Sequence, residues 1–301
     1  MSTPPFLDLP LCARARRITT ERGELATLVA ECAPAPGSTE VAMGTAVLVP
    51  GFTGSKEDFI GVLEPLATRG WRVVALDQRG QFESTPDPDS GPAGGDDPGR
   101  YDVEELAADL AALISALGTG PVHLLGHSFG GLVARAATIA SPGLLRSLTL
   151  LGSGPGPVPA ASQARLALLM QALASLDLAT IWEAMQALDA QAGVVPPPEP
   201  VLEFLRGRFL ANSPTGLARL AHQLLTCPDR TDELAAATAR GGLPVLVAHG
   251  ADDDVWTPHE LAAVARRLGA AYEVVDGAGH SPAADRPLAT AAVLDRFWRG
   301  A

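Results

Sequence analysis

The sequence predicts an α/β protein, with a mostly parallel sheet covered by helices on both faces and an inserted helical cap. Short apolar strand patterns alternate with amphipathic helix patterns through most of the chain, which is typical of parallel sheets. The alternation stops from about Gly154 to Ala239, where helix patterns continue without a good strand. A helical insertion between two strands predicts a cap over the carboxyl edge of the sheet, where open α/β folds bind ligands.

The composition fits one large domain with an insertion. The chain has 301 residues, of which 47% are hydrophobic and 19% charged, enough apolar material for a sizeable core. We expect a first core part over residues 1–153, a cap over 154–239 and a second core part over 240–301. The formal net charge of −12 excludes nucleic acid and membrane surfaces as expected partners, because an acidic chain repels phosphate and anionic lipid.

The cysteines and the N-terminal stretch predict a cytoplasmic protein. Cys12, Cys32 and Cys227 lie far apart without CxxC spacing, which argues against a disulfide scaffold and a zinc site. Prolines and an acidic residue stand where a signal peptide needs basic and then apolar residues, and no apolar run reaches membrane-spanning length. One lysine among many arginines and alanines indicates a GC-rich bacterial genome.

The elements of the first half alternate in order. We predict two short strands around a turn at Arg22-Gly23, a loop, a buried strand, a helix that ends at Gly70, a strand, a long polar loop and an amphipathic helix. The strand pair covers 16–31, the loop 33–40, the buried strand 45–51 and the helix 59–70. The next strand covers 71–77, the long polar loop 78–99 and the amphipathic helix 103–118.

The second half continues the pattern on both sides of the cap. A strand over 122–127, a helix from Gly130 and a strand over 147–153 precede the cap. A strand over 243–250, a helix over 258–270, a strand over 271–277 and a last helix over 284–300 follow it.

A serine at a sharp corner carries the main chemical signal. The strand pattern "VHLLGH" ends there, the helix pattern begins at Gly130, and Gly126-His127-Ser128-Phe129-Gly130 fits G-x-S-x-G in its strand–turn–helix context. The glycines leave room where a Cβ would collide with the neighbouring strand and helix. We predict Ser128 as a nucleophile; the alternative is a glycine-rich turn with an incidental serine.

A serine hydroxyl needs a base to take its proton. Of the six histidines, His280 in "DGAGHSP" follows the last predicted strand and precedes the last helix, where a base can reach across to Ser128. His123 is expected to pack within a strand, and His127 to pack or hydrogen-bond at the corner. A His280 that only caps the next helix is the alternative.

The base needs a carboxylate that fixes its tautomer. The loop "HGADDDVWTP" offers Asp252, Asp253 and Asp254 after a strand. We favour Asp253, with Asp254 as the alternative acid; the chain order serine, aspartate, histidine then matches the hydrolase arrangement. Consecutive side chains diverge and no complementary ligands are visible, so we expect no metal site. A solvated acidic loop is the other alternative.

The tetrahedral intermediate needs hydrogen-bond donors for its oxyanion. The backbone N–H of Phe129 follows the nucleophile, and the N–H of Phe52 in "VPGFTGSKEDF" is the candidate from an earlier loop. Both donors are backbone groups.

These landmarks together resemble the α/β-hydrolase superfamily, most of all its cap-bearing bacterial serine esterases. The stretches "LVPGFTGS", "VVALDQRGQFES", "LLGHSFGGLVARA", "HGADDDVWTP" and "DGAGHSP" occur in the superfamily's order over nearly the whole chain. The resemblance implies an eight-stranded, mostly parallel sheet with a helical lid. It also implies a Ser128, Asp253 and His280 triad, with Phe52 and Phe129 as oxyanion donors.

The chain departs from the family pattern in three places. Pro50-Gly51 stands where many members have His-Gly before the oxyanion residue, which alters the packing of that loop. The aspartate loop is one residue longer than the common spacing. No carboxylate follows the strand "LTLLGS", where some members carry their acid, which favours the later aspartates. Arg79 in the loop after the second parallel strand is expected to brace nearby loops.

We expect hydrolysis of a small-molecule carboxylic ester, thioester or lactone through an acyl-enzyme, without a cofactor or metal. Trp182 and Met185 in the cap are candidates for an apolar acyl pocket or equally for cap core. Trp256, beside the aspartates, is a candidate to line the pocket or to pack beneath it. The alternatives are a carbon–carbon bond hydrolase or lyase, a cofactor-free perhydrolase, and a non-catalytic binding protein for a small ligand. The sequence leaves the oligomeric state open.

Overall fold

The computed structural model describes residues 1–32, 43–85 and 97–301. In this part of the chain the strands are β1 Ala13–Thr20, β2 Gly23–Ala30, β3 Gly44–Val49, β4 Trp71–Leu76, β5 Val122–His127, β6 Leu145–Leu151, β7 Val245–Gly250 and β8 Ala271–Val275. The helices are α1 Ile60–Ala67, α2 Val103–Leu117, α3 Phe129–Ala140, α4 Ala160–Leu173, α5 Leu178–Gln191, α6 Glu199–Leu210, α7 Pro214–Thr226, α8 Thr231–Gly241, α9 Pro258–Leu268, α10 Pro282–Asp285 and α11 Pro287–Arg299. The loop predicted over 33–40 and the part of the polar loop over 86–96 lie outside the described residues.

The strands form one sheet in the order β1-β2-β4-β3-β5-β6-β7-β8. β2 pairs antiparallel with both β1 and β4, and the pairs from β4 to β8 are parallel. The predicted mostly parallel eight-stranded sheet is therefore confirmed. Because β3, β5, β7 and β8 run the same way, the loops that follow them meet at one edge of the sheet.

Alternating side chains of the central strands fill two cores. In β3, Val47 and Val49 point to one core, whereas Ala46 and Leu48 point to the other. Helices α2, α3, α8 and α9 cover the first face, and α1, α10 and α11 cover the second. Burial on both faces explains why β3 reads as a continuous apolar run.

The segment between β6 and β7 is helical, as the sequence predicts. α5 and α6 share a separate apolar cluster to which α7 contributes Leu217. α8 differs from them, because it packs against α3 and α9 of the sheet's helical layer. A cap that ended at residue 239 would divide α8, and we propose that the cap ends before Thr231.

The predicted last helix over 284–300 is wrong as a single helix. α10 ends at Asp285 and α11 begins at Pro287, with Arg286 between them at φ −136° and ψ 62°. The backbone of a residue before proline is driven away from the helical region, and proline itself suits a helix's first turn. The helix predicted over 59–70 is also shorter, because α1 ends at Ala67 and Gly70 takes a φ of +93° in the turn that follows.

Candidate active site

Ser128 occupies a strained corner between β5 and α3. Its φ of 53° and ψ of −118° lie where L-residues are rarely found. Its backbone N–H donates to the carbonyl of Leu151 at 2.9 Å, which ties the corner to the neighbouring strand. Strain of this kind persists only where surrounding contacts enforce it, and it is found most often at functional sites.

The glycines beside Ser128 are required by close backbone approaches. A Cβ on Gly126 would lie 2.3 Å from the carbonyl oxygen of Gly130. A Cβ on Gly130 would lie 2.5 Å from the carbonyl oxygens of Val49 and Pro50. Both distances are far below van der Waals contact, so strand, helix and the loop after β3 meet only because side chains are absent here.

The structure brings His280 and Asp253 to this corner. His280 Nε2 lies 2.9 Å from Ser128 Oγ, and its Nδ1 lies 3.0 Å from Asp253 Oδ1. A carboxylate can only accept, so neutral His280 carries its proton on Nδ1 and offers the Nε2 lone pair to the serine hydroxyl. The three side chains form one hydrogen-bonded chain.

Asp253 is held as an anion in a dry position. Its side chain is fully buried, and Oδ1 also accepts from the backbone N–H groups of Val255 and Trp256 at 2.9 and 3.1 Å. Burial acts to raise the pKa of Asp253, but the hydrogen bond and charge of His280, together with the backbone hydrogen bonds from Val255 and Trp256, leave the pKa below its usual value. Asp254 is exposed and makes no such contact with His280 in the described structure.

His127 braces the loop that carries His280. The Nε2 of His127 lies 2.8 Å from the backbone carbonyl of His280, and since a carbonyl only accepts, Nε2 carries the proton. Burial, reinforced by the charge of His280, lowers the pKa of His127 to about 4. His127 is therefore neutral near pH 7 and serves as a fixed donor, in line with the local role expected for it.

The two predicted oxyanion donors border the same corner. Phe129 is the first residue of α3, so its N–H lies at the helix N-terminus, where N–H groups have no partner within the helix. A Cβ on Gly51 would lie 3.1 Å from Ser128 Cβ, which places the Gly51–Phe52 peptide beside the serine. Thr53, the next residue, has a φ of 56°, a second strained position at this edge.

The predicted pocket residues fall into two groups. Trp182 is buried in the apolar cluster shared by α5 and α6, with its ring 5.8 Å from that of Phe209, and Met185 packs partly buried against the same cluster. Trp256 instead packs on Gly154 in the core beneath. The side chain of Phe52, which the sequence suggested only as a backbone donor, contacts both the core cluster and the cluster of α5 and α6.

Two of the remaining histidines have partners other than Ser128. His123 pairs with Ser147, and His249 bonds Tyr272 and the carbonyl of Gly250. Within residues 1–32, 43–85 and 97–301, no group of three or more His, Cys, Asp or Glu side chains is arranged to hold a metal ion. None of the helices in those ranges is both long and apolar enough to cross a membrane.

The comparisons with known proteins agree with this architecture. The model of the family described as "alpha/beta hydrolase fold" matches residues 46–287. The chain belongs to this family. A non-heme chloroperoxidase from Streptomyces lividans is 31% identical over 223 residues, which are 68% of this chain and 72% of the relative.

One solved esterase resembles this chain over nearly its whole length, and another relative matches only part of it. A thermophilic esterase from Thermogutta terrifontis, solved with malate bound, is 26% identical with a TM-score of 0.69, covering 95% of this chain and 98% of the esterase. A protein of Stutzerimonas stutzeri named "Putative carbamate hydrolase RutD" is 34% identical over 115 residues, 38% of this chain and 40% of the relative. The chain spans less than half the length of RutD relatives of this kind.

Proposed function

We propose that the protein is a serine hydrolase that cleaves a small-molecule carboxylic ester, thioester or lactone through an acyl-enzyme. The observation that carries this proposal is the hydrogen-bonded chain from Asp253 through His280 to Ser128. Family membership and the full-length likeness to an esterase support it.

Each proton in the reaction has a place in this arrangement. Nε2 of His280 takes the proton of Ser128 as Oγ attacks the acyl carbon, and Asp253 stabilises the imidazolium through Nδ1–H. The N–H groups of Phe52 and Phe129 bind the oxyanion; such a donor typically supplies about 3 kcal/mol of barrier lowering. His280 then protonates the leaving group. In the second step Nε2 takes a proton from a water that attacks the acyl carbon, and returns it to Ser128 Oγ as the acyl–Oγ bond breaks and the acid leaves.

We place the acyl part of the substrate against the side chain of Phe52. This ring touches both the core and the cap cluster, next to the peptide that lies beside Ser128. An apolar acyl group in that position would gain about 25 cal/mol for each Å² removed from water. Trp182 and Met185 form the cap side of the same apolar wall.

A p-nitrophenyl ester series from acetyl to long acyl tests the proposal. Wild type should hydrolyse part of the series, and Ser128→Ala should lose the activity. Ser115→Ala, a change at an exposed serine on α2, is the matched control and should keep it. Labelling of Ser128 by a fluorophosphonate, read by mass spectrometry, identifies the nucleophile directly. A wild type that neither hydrolyses any ester nor becomes labelled would refute the proposal.

Perhydrolysis is a second candidate, which the likeness to a non-heme chloroperoxidase favours. Here hydrogen peroxide rather than water attacks the acyl-enzyme, so that the acyl group leaves as a peracid and Ser128 regains its proton. Peracid formed from an ester in the presence of peroxide, measured against the acid formed, gives the partition between the two reactions. If only the acid forms, perhydrolysis is refuted and hydrolysis remains the proposed reaction.

A further inference from the structure

Two buried glutamines of the loop after β4 reach the loop after β3. Gln78 Nε2 donates to the carbonyl of Pro50 at 3.0 Å, and Gln81 Nε2 donates to the carbonyl of Gly51 at 2.9 Å. Gln78 is 3% exposed and Gln81 is 1% exposed, so both side-chain amides are shielded from solvent. Both side chains point at main-chain atoms of the stretch that borders Ser128.

The bond to Gly51 sets the direction of a specific donor. The carbonyl of Gly51 and the N–H of Phe52 belong to one planar trans peptide, so they point in opposite directions. Fixing that carbonyl on Gln81 therefore fixes the direction of the Phe52 N–H. The same carbonyl also accepts from Gly54 N–H at 3.1 Å, and that short turn alone leaves the peptide free to tilt with its loop.

The backbone of Gln81 is itself anchored, and its side-chain Oε1 accepts from the backbone N–H and the Nε2 of Gln78, each at 3.4 Å. Gln81 N–H donates to the Gln78 carbonyl at 2.9 Å, and Gln81 carbonyl accepts from Ser84 N–H at 2.9 Å. The far end of the loop after β3 is pinned separately, because Lys56 donates to Asp77 from Nζ at 2.8 Å and from its backbone N–H at 2.7 Å. Residues after β4 therefore bind the loop after β3 at two places, one at the Gly51–Phe52 peptide beside Ser128 and one at Lys56.

We propose that Gln81 is a positioning residue for the oxyanion donor of Phe52, acting through the Gly51 carbonyl; this inference rests on the proposed function. Pro50 offers no N–H of its own for bracing this loop. A buried side-chain amide supplies the support instead. Because the oxyanion exists only during reaction, a tilted Phe52 N–H weakens the transition state and leaves ground-state binding almost unchanged.

Gln81→Met keeps the size of the side chain and removes its donor. The matched control is Gln223→Met, which removes a buried amide that donates to the carbonyl of Tyr101 at 2.8 Å, away from the loop after β3. Gln81→Asn, whose amide is one methylene too short to reach Gly51, replaces Gln81→Met if that variant does not fold. Circular dichroism selects a temperature at which all variants are folded.

Fluorophosphonate labelling of Ser128 and hydrolysis of p-nitrophenyl acetate are the measurements. We expect Gln81→Met to lose about tenfold in labelling rate and in kcat, with KM within twofold, since a displaced donor retains part of the 10²–10³ effect of a lost one. Gln223→Met should stay within twofold of wild type in both rates.

The outcomes separate the two proposals. Labelling of Gln81→Met at the wild-type rate, or equal losses in Gln81→Met and Gln223→Met, would overturn the role of Gln81 while a labelled wild type upholds the serine mechanism. A wild type that is not labelled at all would overturn the proposed function and the role of Gln81 with it.

Discussion

Arg208 of helix α6 donates a 2.6 Å hydrogen bond to Asp58, which lies in the short helix that follows the loop after β3. Both side chains are buried, and Arg208 also donates to the backbone carbonyl of Ser2 at 2.7 Å. Burial raises the pKa of Asp58 although the charge of Arg208 opposes it. This ion pair therefore joins helix α6 to the segment after β3, close to the candidate site.

Breaking this pair should be costly. Arg208→Met leaves the carboxylate of Asp58 buried without its partner, and we expect about 3–5 kcal/mol of lost unfolding free energy in urea titrations. Arg208→Met/Asp58→Asn should recover part of the loss. Arg267→Met, which removes a half-exposed ion pair with Asp229, should cost about 1 kcal/mol or less. Equal losses of unfolding free energy in Arg208→Met and Arg267→Met would contradict the predicted difference between the buried and the half-exposed ion pair.

The two adjacent aspartates should differ sharply in catalysis. Asp253→Asn removes the acceptor that orients His280, and we expect kcat for a p-nitrophenyl ester to fall by up to about 10⁴. Asp254→Asn alters an exposed side chain one residue away and should change kcat less than twofold. Comparable losses in the two variants would refute the assignment of Asp253.

The glycine at the serine corner should not tolerate a methyl group. In Gly126→Ala the new Cβ would lie 2.3 Å from a backbone oxygen, so strand and helix must separate, at about 1–3 kcal/mol or more. Gly143→Ala places its Cβ in open space and is the matched control. Thermal unfolding should show a lower Tm for Gly126→Ala alone, together with lost esterase activity. A Tm like that of Gly143→Ala would disprove the close approach.

Stability should fall on mild acidification. Burial, with the charge of Arg146, lowers the pKa of His123 to about 4. An unfolded histidine binds a proton below about pH 6.5, so between pH 6.5 and 4 the unfolded chain holds more protons and gains stability over the folded one. From pH 7 to 5 this amounts to about 2 kcal/mol for His123.

Urea unfolding at both pH values measures the effect. His123→Gln keeps a polar side chain facing Ser147 and should lose about 2 kcal/mol less than wild type between pH 7 and 5. His259→Gln, at an exposed position, should follow the wild-type pH dependence. An unchanged pH dependence in His123→Gln would show that this imidazole titrates alike in both states.

The fold and the candidate triad could be predicted from the sequence because the patterns that indicate them are local. A strand, a G-x-S-x-G turn and a helix stand together around Ser128, and His280 lies in a loop directly after a strand. The choice between Asp253 and Asp254 needed coordinates, since neighbouring loop residues differ only in where their side chains point. The hydrogen-bond partners of Gln81 and His127 could not be predicted from the sequence, because they lie 30 and 153 residues away and no motif links them.

The burial of Lys56 has a consequence for chemical labelling. It is the one lysine of the chain, it is 1% exposed, and its ammonium is paired with Asp77, Glu57 and Glu83. Acylating reagents attack neutral, accessible amines, so the folded protein shields this side chain twice over. The rate at which Lys56 is acylated, measured by mass spectrometry of its peptide, would then report how often the loops beside Ser128 separate.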